Sequence, residues 1–235
     1  MTSIVSAQEL RRVYGEGGAA VTALDGVTVD FPAGAFTAIM GPSGSGKSTL
    51  MHLLAGLDRP TSGTAVLDGV DLTTLNDDAL TQLRRDRVGF IFQAFNLLPV
   101  LNAEENIVLP MSIAGREPDQ AWVDQLIDLV GLRDRITHRP SELSGGQQQR
   151  VAVVRALASR PAVVFADEPT GNLDSHASTE ILQLLRRSVD DFGQTIVMVT
   201  HDEHAAAYAD RLLVLHDGQI VEDREPTRAA QAATV

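Results

Sequence analysis

Short apolar runs separated by turn residues make up the first third of the chain. Residues 21–31 (VTALDGVTVDF) have the pattern of a half-buried strand pair, and a Pro-Ala-Gly turn follows. Residues 35–40 (AFTAIM) form a continuous apolar run that predicts a buried strand, and the spacing from Gly46 onward (GKSTLMHLLAGL) is that of a helix. The pattern therefore predicts a strand, a glycine-rich loop and a helix, in that order.

Helical periodicity replaces this pattern between residues 94 and 139. Apolar residues at helical spacing occur in residues 102–111 and 122–130, with glycine and proline breakers between and after them. Strand-like segments then return, and the last two predict a hairpin. The chain is therefore predicted to be α/β with a mainly helical insertion. The later strands cover residues 162–166, 195–199, 212–215 and 219–221.

Composition and charge exclude several classes of protein. No apolar run reaches the roughly 18–20 residues that span a bilayer, and the first residues lack the basic and apolar regions of a signal peptide. We therefore expect a soluble, cytoplasmic chain. The absence of cysteine excludes disulfides and thiolate metal sites. A formal charge of −12 disfavours contact with nucleic acid, so no nucleic-acid partner is expected.

The glycine-rich loop of residues 41–49 (GPSGSGKST) has the spacing of a phosphate-binding loop. Its glycines let amide N–H groups face phosphate oxygens, and the following helix adds its dipole. Lys47, the single lysine among 19 basic residues, would reach the β- and γ-phosphates of ATP, and Ser48 would bind Mg²⁺. A flexible turn between strand and helix is the alternative. The residues predicted to bind ATP here are Gly41, Pro42, Ser43, Gly44, Ser45, Gly46, Lys47, Ser48 and Thr49.

A second apolar strand ends in two acidic residues, within residues 161–168 (PAVVFADE). Placed near a phosphate loop, Asp167 would hold Mg²⁺ through its water shell. Glu168 would then polarise the attacking water as general base. Taken alone, the pattern often marks only a strand that reaches solvent. Because a phosphate loop precedes it in the chain, the sequence predicts a catalytic role.

Residues 143–150 (LSGGQQQR) match the signature of the nucleotide-binding subunits of ABC transporters, a family that the chain resembles over essentially its whole length. The resemblance implies an ATPase with a single domain, residues 1–235. It implies a P-loop NTPase core with a mixed sheet, flanking helices and an N-terminal antiparallel β-subdomain, and a helical subdomain inserted at about residues 94–155. It also implies head-to-tail dimers with a second copy or a similar subunit, in which the signature contacts the partner's ATP. A serine-capped helix start is the simpler alternative. The signature residues are Ser144, Gly145, Gly146 and Gln147.

Four further positions match functional residues of that family. Tyr14 matches the aromatic residue that stacks on adenine, although plain packing is the alternative for a surface tyrosine. Gln93 matches the glutamine that contacts Mg²⁺, and Asp174 matches the loop that reaches across the dimer. His201 matches the switch histidine that contacts the γ-phosphate and the general base. The predicted catalytic residues are thus Glu168, His201 and Lys47.

Residues 92–99 (FQAFNLLP) and 167–174 (DEPTGNLD) narrow the resemblance to the MacB/LolD/FtsE group. That group pairs with FtsX-like or MacB-like integral membrane subunits, and for this chain we expect a separate permease of that type, which would hold it at the inner face of the plasma membrane. The resemblance implies an exporter or a system that extracts lipoproteins or lipids. The apolar residues 94–101 (AFNLLPVL) would bind a permease helix or belong to local core. FtsE-like signalling to cell-wall hydrolases stays open, and a non-transport ABC ATPase acting on nucleic acid is a further alternative, which the charge disfavours.

Overall fold

The computed structural model describes residues 3–226, and its contacts divide the chain into two compact units. The first unit comprises Met1–Thr74 and Thr195–Val235, and the second comprises Leu75–Gln194. The helical insertion predicted at residues 94–155 falls within the second unit, and its boundaries stay a prediction.

The strands and helices follow each other in a mixed order along the chain. The strands are β1 (Ser3–Tyr14), β2 (Val21–Pro32), β3 (Phe36–Met40), β4 (Ser62–Leu67), β5 (Val70–Asp71), β6 (Val88–Phe92), β7 (Val163–Asp167), β8 (Ile196–Val199), β9 (Arg211–His216) and β10 (Gln219–Arg224). The helices are α1 (Lys47–Leu54), α2 (Asp77–Arg87), α3 (Ala103–Ile113), α4 (Gln120–Leu129), α5 (Gly145–Ala158), α6 (Ser175–Phe192) and α7 (Glu203–Ala206).

The first unit contains an antiparallel sheet with the strand order β2-β1-β4-β5. The prediction of a strand pair over residues 21–31 is wrong, because these residues lie in one strand, β2. The Asp-Gly dipeptide in its middle looks like a hairpin turn, yet Gly26 has φ 74° and lies where the register with β1 shifts. Leu10 pairs with Val27, whereas two residues later Arg12 pairs with Leu24. The extra residue on β2 makes a bulge rather than a turn.

The same unit contains the parallel strands β9-β3-β8, with β10 antiparallel to β9. The predicted hairpin of the last two strands is confirmed. β3 is a continuous buried run, and α1 buries Leu50, Met51, Leu53 and Leu54. Ile39 of β3 pairs with Val199 of β8. Since the carboxyl ends of parallel strands meet at one edge, the segments that follow β3 and β8 emerge at the same edge of the sheet.

The second unit combines a parallel strand pair, β6 and β7, with α2 to α6. The helices predicted over residues 102–111 and 122–130 are present as α3 and α4. Both pack against α5, which buries apolar residues along much of its length. The core includes Ile107, Val123, Leu126 and Val154, each 0% exposed. Among residues 3–226, no helix combines the length and apolarity that crossing a membrane requires.

Candidate active site

The phosphate loop between β3 and α1 has a backbone that only glycine fits at two positions. Gly41 has φ 150°, and a Cβ there would lie 2.1 Å from the carbonyl oxygen of Leu215. Gly46 has φ 102°, and a Cβ there would lie 2.4 Å from the carbonyl oxygen of Ala23. These contacts are far below a normal separation, so the loop conformation depends on both glycines.

Lys47 and the start of α1 form the cationic end of this loop. The Lys47 ammonium donates to the carbonyl oxygens of Gly41 at 2.8 Å and Pro42 at 2.9 Å, using two of its three N–H bonds. The cap residue Gly46 provides no side-chain hydrogen bond, and the first turn has no acidic residue. The first N–H groups of a helix have no intrahelical acceptor, so this terminus is suited to an anion.

The serines of the loop differ in exposure. Ser43 and Ser48 are exposed, whereas Ser45 is 2% exposed. The Ser45 backbone N–H donates to the carbonyl of Pro42, and its own carbonyl accepts from Gly218. Ser45 thus holds the loop in shape, while the Ser48 hydroxyl lies at the surface. Gly44 and Thr49 complete the predicted loop, Gly44 at φ 82° and Thr49 in the first turn of α1.

Tyr14 ends β1 and is 41% exposed. Its hydroxyl donates to Asp58 Oδ2 at 2.9 Å, and the Arg12 guanidinium carbon lies 4.5 Å from the ring centroid. Arg12 also forms an ion pair with Asp58 at 2.8 Å. The ring is therefore held at its hydroxyl and covered on one face by a cation, so a base could stack only on the other face.

His201 follows β8 at the edge where the phosphate loop follows β3. Val199 pairs with Ile39, and His201 and Gly41 each lie two residues further along. The structure therefore brings the predicted histidine to the same edge as the start of the phosphate loop. It is exposed there, in a bend.

Asp167 and Gln93 lie at the carboxyl edge of the β6–β7 pair in the second unit. Phe92 pairs with Asp167, and Gln93 is the next residue after Phe92. The Gln93 amide donates to Asn172 Oδ1 at 3.2 Å, and a Cβ on Gly171 would lie 2.7 Å from its nitrogen. These contacts fix the position of the Gln93 side chain.

Glu168 has a backbone conformation that is unusual for a residue other than glycine. Its φ is 46°, in the left-handed region, and its carbonyl accepts from the Gly171 N–H at 3.0 Å. The side chain is half-buried. Such conformations persist where the surroundings fix them, and they concentrate at functional sites.

The signature residues cap the N-terminus of α5. The Ser144 hydroxyl accepts from the Gln147 N–H at 3.3 Å, and the Gln147 side chain accepts from the Ser144 N–H at 2.9 Å. The helix cap weighed as the simpler alternative is thus present. Gly145 and Gly146 begin the helix, and a Cβ on Gly146 would lie 3.1 Å from the Cβ of Ala177. The signature helix therefore packs against the first turn of α6.

Asp174, predicted to reach across a dimer, caps α6 in this structure. Its Oδ1 accepts from the Ala177 N–H at 2.9 Å. The capping bond accounts for an aspartate at this position within a single chain. It does not test a contact with a second copy.

Three residues that support these loops were not predicted as functional from the sequence, although one of them, Gln149, lies within the signature run of residues 143–150. Asp58 holds Tyr14 from a position 44 residues away in sequence. Gln149 and Arg155 of α5 donate to backbone carbonyls of the loops that follow β7 and β6, and burial lowers the pKa of the Arg155 guanidinium. For Gln149 a signal exists, because it is a polar residue in register with the buried positions of an amphipathic helix.

The fold and these loops define a class of protein. The family model for ABC transporters matches residues 24–171, and the chain belongs to this family as an ATP-binding cassette ATPase. Among curated relatives, the macrolide export ATP-binding/permease protein MacB of Escherichia coli (strain K12) is 47% identical over 223 residues. The MacB protein of Marinobacter nauticus (strain ATCC 700491 / DSM 11845 / VT8) is 46% identical over 222 residues. Each match covers 94% of this chain and 34% of the relative, so the chain spans about a third of their length.

Two solved structures share the fold. The dimeric ATP-binding cassette MJ0796, in a post-hydrolysis state bound to ADP and Pi, has a TM-score of 0.85 at 39% identity, covering 95% of this chain and 99% of that one. The protein cbiO1 from Clostridium perfringens, part of the ABC transporter complex cbiONQ, has a TM-score of 0.85 at 28% identity, covering 96% and 90%. These similarities confirm the predicted α/β P-loop fold and its family.

Proposed function

We propose that the chain binds ATP on its phosphate loop and hydrolyses it to drive a membrane permease. The observation that carries this proposal is the start of α1. An uncapped helix terminus, a loop shaped by Gly41 and Gly46, and the ammonium of Lys47 together form a site for the phosphates of a nucleotide. Tyr14 would stack on adenine with its uncovered face, and His201 would contact the γ-phosphate.

The proposed Mg²⁺ contacts are Ser48, Gln93 and Asp167, through the hydroxyl, amide and carboxylate oxygens that a hard cation prefers. Among residues 3–226, no group of three His, Cys, Asp or Glu side chains could hold a metal alone. That finding fits Mg²⁺, which proteins usually hold with one or two carboxylates together with substrate phosphates and water. When bound, the ion would neutralise charge on the phosphates.

Glu168 is the proposed general base, and its substitution is the direct test of the function. We expect Glu168→Gln to keep ATP binding and to lower hydrolysis by about 10²–10⁴-fold, because the amide cannot accept a proton from the attacking water. Phosphate release measures turnover, and equilibrium binding of labelled ATP measures affinity. Glu117→Gln, at an exposed glutamate outside the site, is the matched control. Normal turnover in Glu168→Gln would remove Glu168 from this role.

We further propose that two copies pack head to tail, with Ser144, Gly145, Gly146 and Gln147 on the ATP of the partner and Asp174 at the dimer contact. The similar cassette MJ0796 is described as dimeric, which supports a dimer of this chain. Mixing Ser144→Arg chains with Lys47→Ala chains should restore activity, since one heterodimer site then keeps an intact loop and an intact signature. If the mixture stays inactive at every mixing ratio, either the head-to-tail arrangement is wrong or hydrolysis requires both sites of the dimer to be intact.

The proposed permease surface is the exposed apolar loop after Gln93. Leu98 is 44% and Val100 is 73% exposed, whereas Asn106 beneath them is 0% exposed. The Asn106 amide bonds to backbone atoms of residues 98, 101 and 102, so the loop presents its apolar side chains in a fixed conformation. Large exposed apolar groups on an ordered loop favour a protein partner over local core.

A groove of about 400 Å³ in the same unit adjoins this loop at Asn96, and Phe90 and Phe92 line it. MacB is named as both ATP-binding protein and permease, which supports a permease of that type at this surface and an association with the membrane through it. We expect Val100→Asp to abolish co-purification with the membrane partner at unchanged basal hydrolysis. Val221→Asp, at an exposed valine of the first unit, is the control. The identity of the captured protein distinguishes export from FtsE-like signalling.

A further inference from the structure

The signature helix α5 carries a glutamine that is fully buried. Gln149 is 0% exposed and lies five residues after Ser144, on the helix face that also buries Ala152 and Val153. Glutamine is rarely buried so completely, because its amide loses its contacts with water and must find partners in the protein. The partners of Gln149 therefore indicate what the side chain does.

The Gln149 amide bonds to the backbone of two loops of the proposed active site. Its Nε2 donates to the carbonyl oxygen of Pro169 at 2.5 Å and to that of Phe92 at 3.3 Å. Pro169 directly follows Glu168, and Phe92 directly precedes Gln93. One side chain therefore joins the signature helix to the turn of the general base and to the loop of the proposed Mg²⁺ contact.

Both loops have backbone conformations that need support. Glu168, Phe95 and Asn96 have φ values of 46°, 59° and 51°, all in the left-handed region. Residues other than glycine adopt it at a cost, so surrounding contacts must hold them there. Arg155 of α5 donates to the carbonyl oxygens of Phe95 at 2.9 Å and Asn96 at 2.6 Å. The loop after β6 is thus bonded to α5 on both sides of Gln93.

Packing alone does not account for an amide at position 149. The Gln149 Oε1 atom is buried and has no hydrogen-bond partner among the residues that the structure describes. An unsatisfied buried oxygen is unfavourable, and methionine, of similar length, would fill the space without it. The feature that distinguishes glutamine from methionine here is the pair of N–H bonds to the two carbonyls.

We propose that Gln149 is a positioning residue for ATP hydrolysis, which sets Glu168 and Gln93 through the carbonyl groups beside them. The proposal rests on the roles given above to those two residues. Both bonds of Gln149 go to the loops of Glu168 and Gln93 rather than to the phosphate loop at residues 41–49, so its loss should lower kcat far more than it changes the KM for ATP.

The test compares Gln149→Met with the wild-type full-length chain in steady-state hydrolysis of Mg-ATP. We expect kcat to fall about 10–100-fold while KM for ATP changes by less than about threefold, because displacing a catalytic group by about 1 Å costs this much. Trp122→Phe is the matched control. It removes a different buried hydrogen bond of α5, in which the Trp122 indole N–H donates to the Leu157 carbonyl at 3.1 Å, far in sequence from Gln93 and Glu168. Its kcat should stay within about twofold.

A kcat for Gln149→Met within about twofold of wild type, or a loss that Trp122→Phe reproduces, would overturn the positioning role. Glu168→Gln is measured in the same series. Normal turnover in that variant contradicts the proposed general-base role of Glu168, on which this inference rests, whereas an inactive Glu168→Gln beside a normal Gln149→Met contradicts only the role of Gln149. If thermal melting shows that the methionine variant does not fold, Gln149→Asn replaces it. Its amide is one methylene shorter and cannot reach both carbonyls, so the same fall in kcat is expected, and a normal kcat would overturn the proposal.

Discussion

The helix starts of the phosphate loop and of the signature are built differently. α1 follows Gly46, which has no side chain to cap it, and Lys47 folds back onto the loop carbonyls. α5 follows Ser144, which forms a complete capping box with Gln147. One helix terminus therefore has no side-chain cap for its first N–H groups, while the chain itself satisfies part of the other.

The glycines of the two loops also differ in whether the surrounding chain leaves room for a side chain. An added Cβ would lie 2.1 Å from a backbone oxygen at Gly41 and 2.4 Å from one at Gly46. At Gly145 the nearest atom, on Leu173, would be 3.6 Å away, an ordinary contact. The phosphate loop thus needs its glycines for its own conformation, whereas nothing in the described part of the chain requires glycine at position 145. A requirement there would come from a molecule outside the chain.

Among changes at the two helix starts, the largest effect is expected from Lys47→Arg, which keeps the charge of the phosphate loop. The Lys47 ammonium lies within 2.9 Å of two carbonyl oxygens, and a planar guanidinium is too wide for that space. Hydrolysis should fall by about 10²–10³-fold, the usual cost of losing one well-placed donor. Phosphate-release assays measure it. Arg116→Lys, a charge-conserving change at an exposed ion pair, should leave the rate unaltered.

The single lysine also permits a chemical test of the same loop. With one lysine in the sequence, an amine-directed reagent has only Lys47 and the N-terminus to modify. ATP should protect Lys47 and leave the N-terminus reactive, as read by peptide mass analysis. An active Lys47→Arg enzyme, or labelling of Lys47 that ATP does not slow, would contradict the close fit of the ammonium in the loop.

A smaller effect, on the other helix start, is expected from Gly145→Ala. Since the methyl group fits within the chain, the free energy of unfolding should change by no more than about 1 kcal/mol. If the signature contacts the partner's nucleotide as proposed, hydrolysis should nevertheless fall about 10–100-fold, because the methyl group would displace the signature from it. Urea denaturation and phosphate release measure the two quantities. Gly41→Ala is the contrast, with a stability loss of about 1–3 kcal/mol or more from the backbone clash. A fully active Gly145→Ala would show that the signature does not closely approach the partner's ATP.

Motifs with fixed spacing were the part of this molecule that the sequence could predict. The strand, loop and helix around Lys47, and the strand that ends at Asp167, depend on local order along the chain, which periodicity reveals. The bulge at Gly26 could not be told from a turn, because Asp-Gly favours both and the choice depends on pairing with β1.

Contacts between segments that are distant in sequence could not be predicted from the sequence. Asp58 supports Tyr14 across 44 residues of sequence. Gln149 bonds the loops that carry Gln93 and Glu168 from a position 57 and 20 residues away from its two acceptors. No spacing rule links such positions, since their proximity results from the folding of the whole unit. The prediction that fared least well, the strand pair over residues 21–31, failed for the same reason.

The smallest expected effect is on stability, from the loss of the signature cap in Ser144→Ala, with unfolding measured in the absence of nucleotide. Removing the hydroxyl that accepts from Gln147 should lower the free energy of unfolding by about 1 kcal/mol, the usual value for an N-cap. Asn76→Ala removes the equivalent bond to Ala79 at the start of α2 and should cost about the same. If Ser144 only caps a helix, the two variants will retain equal hydrolysis. If Ser144 also contacts the partner's nucleotide, Ser144→Ala will lose hydrolysis that Asn76→Ala keeps, although both variants have the same stability. The comparison therefore separates the capping role of Ser144 within its own chain from a role at the nucleotide of a second copy.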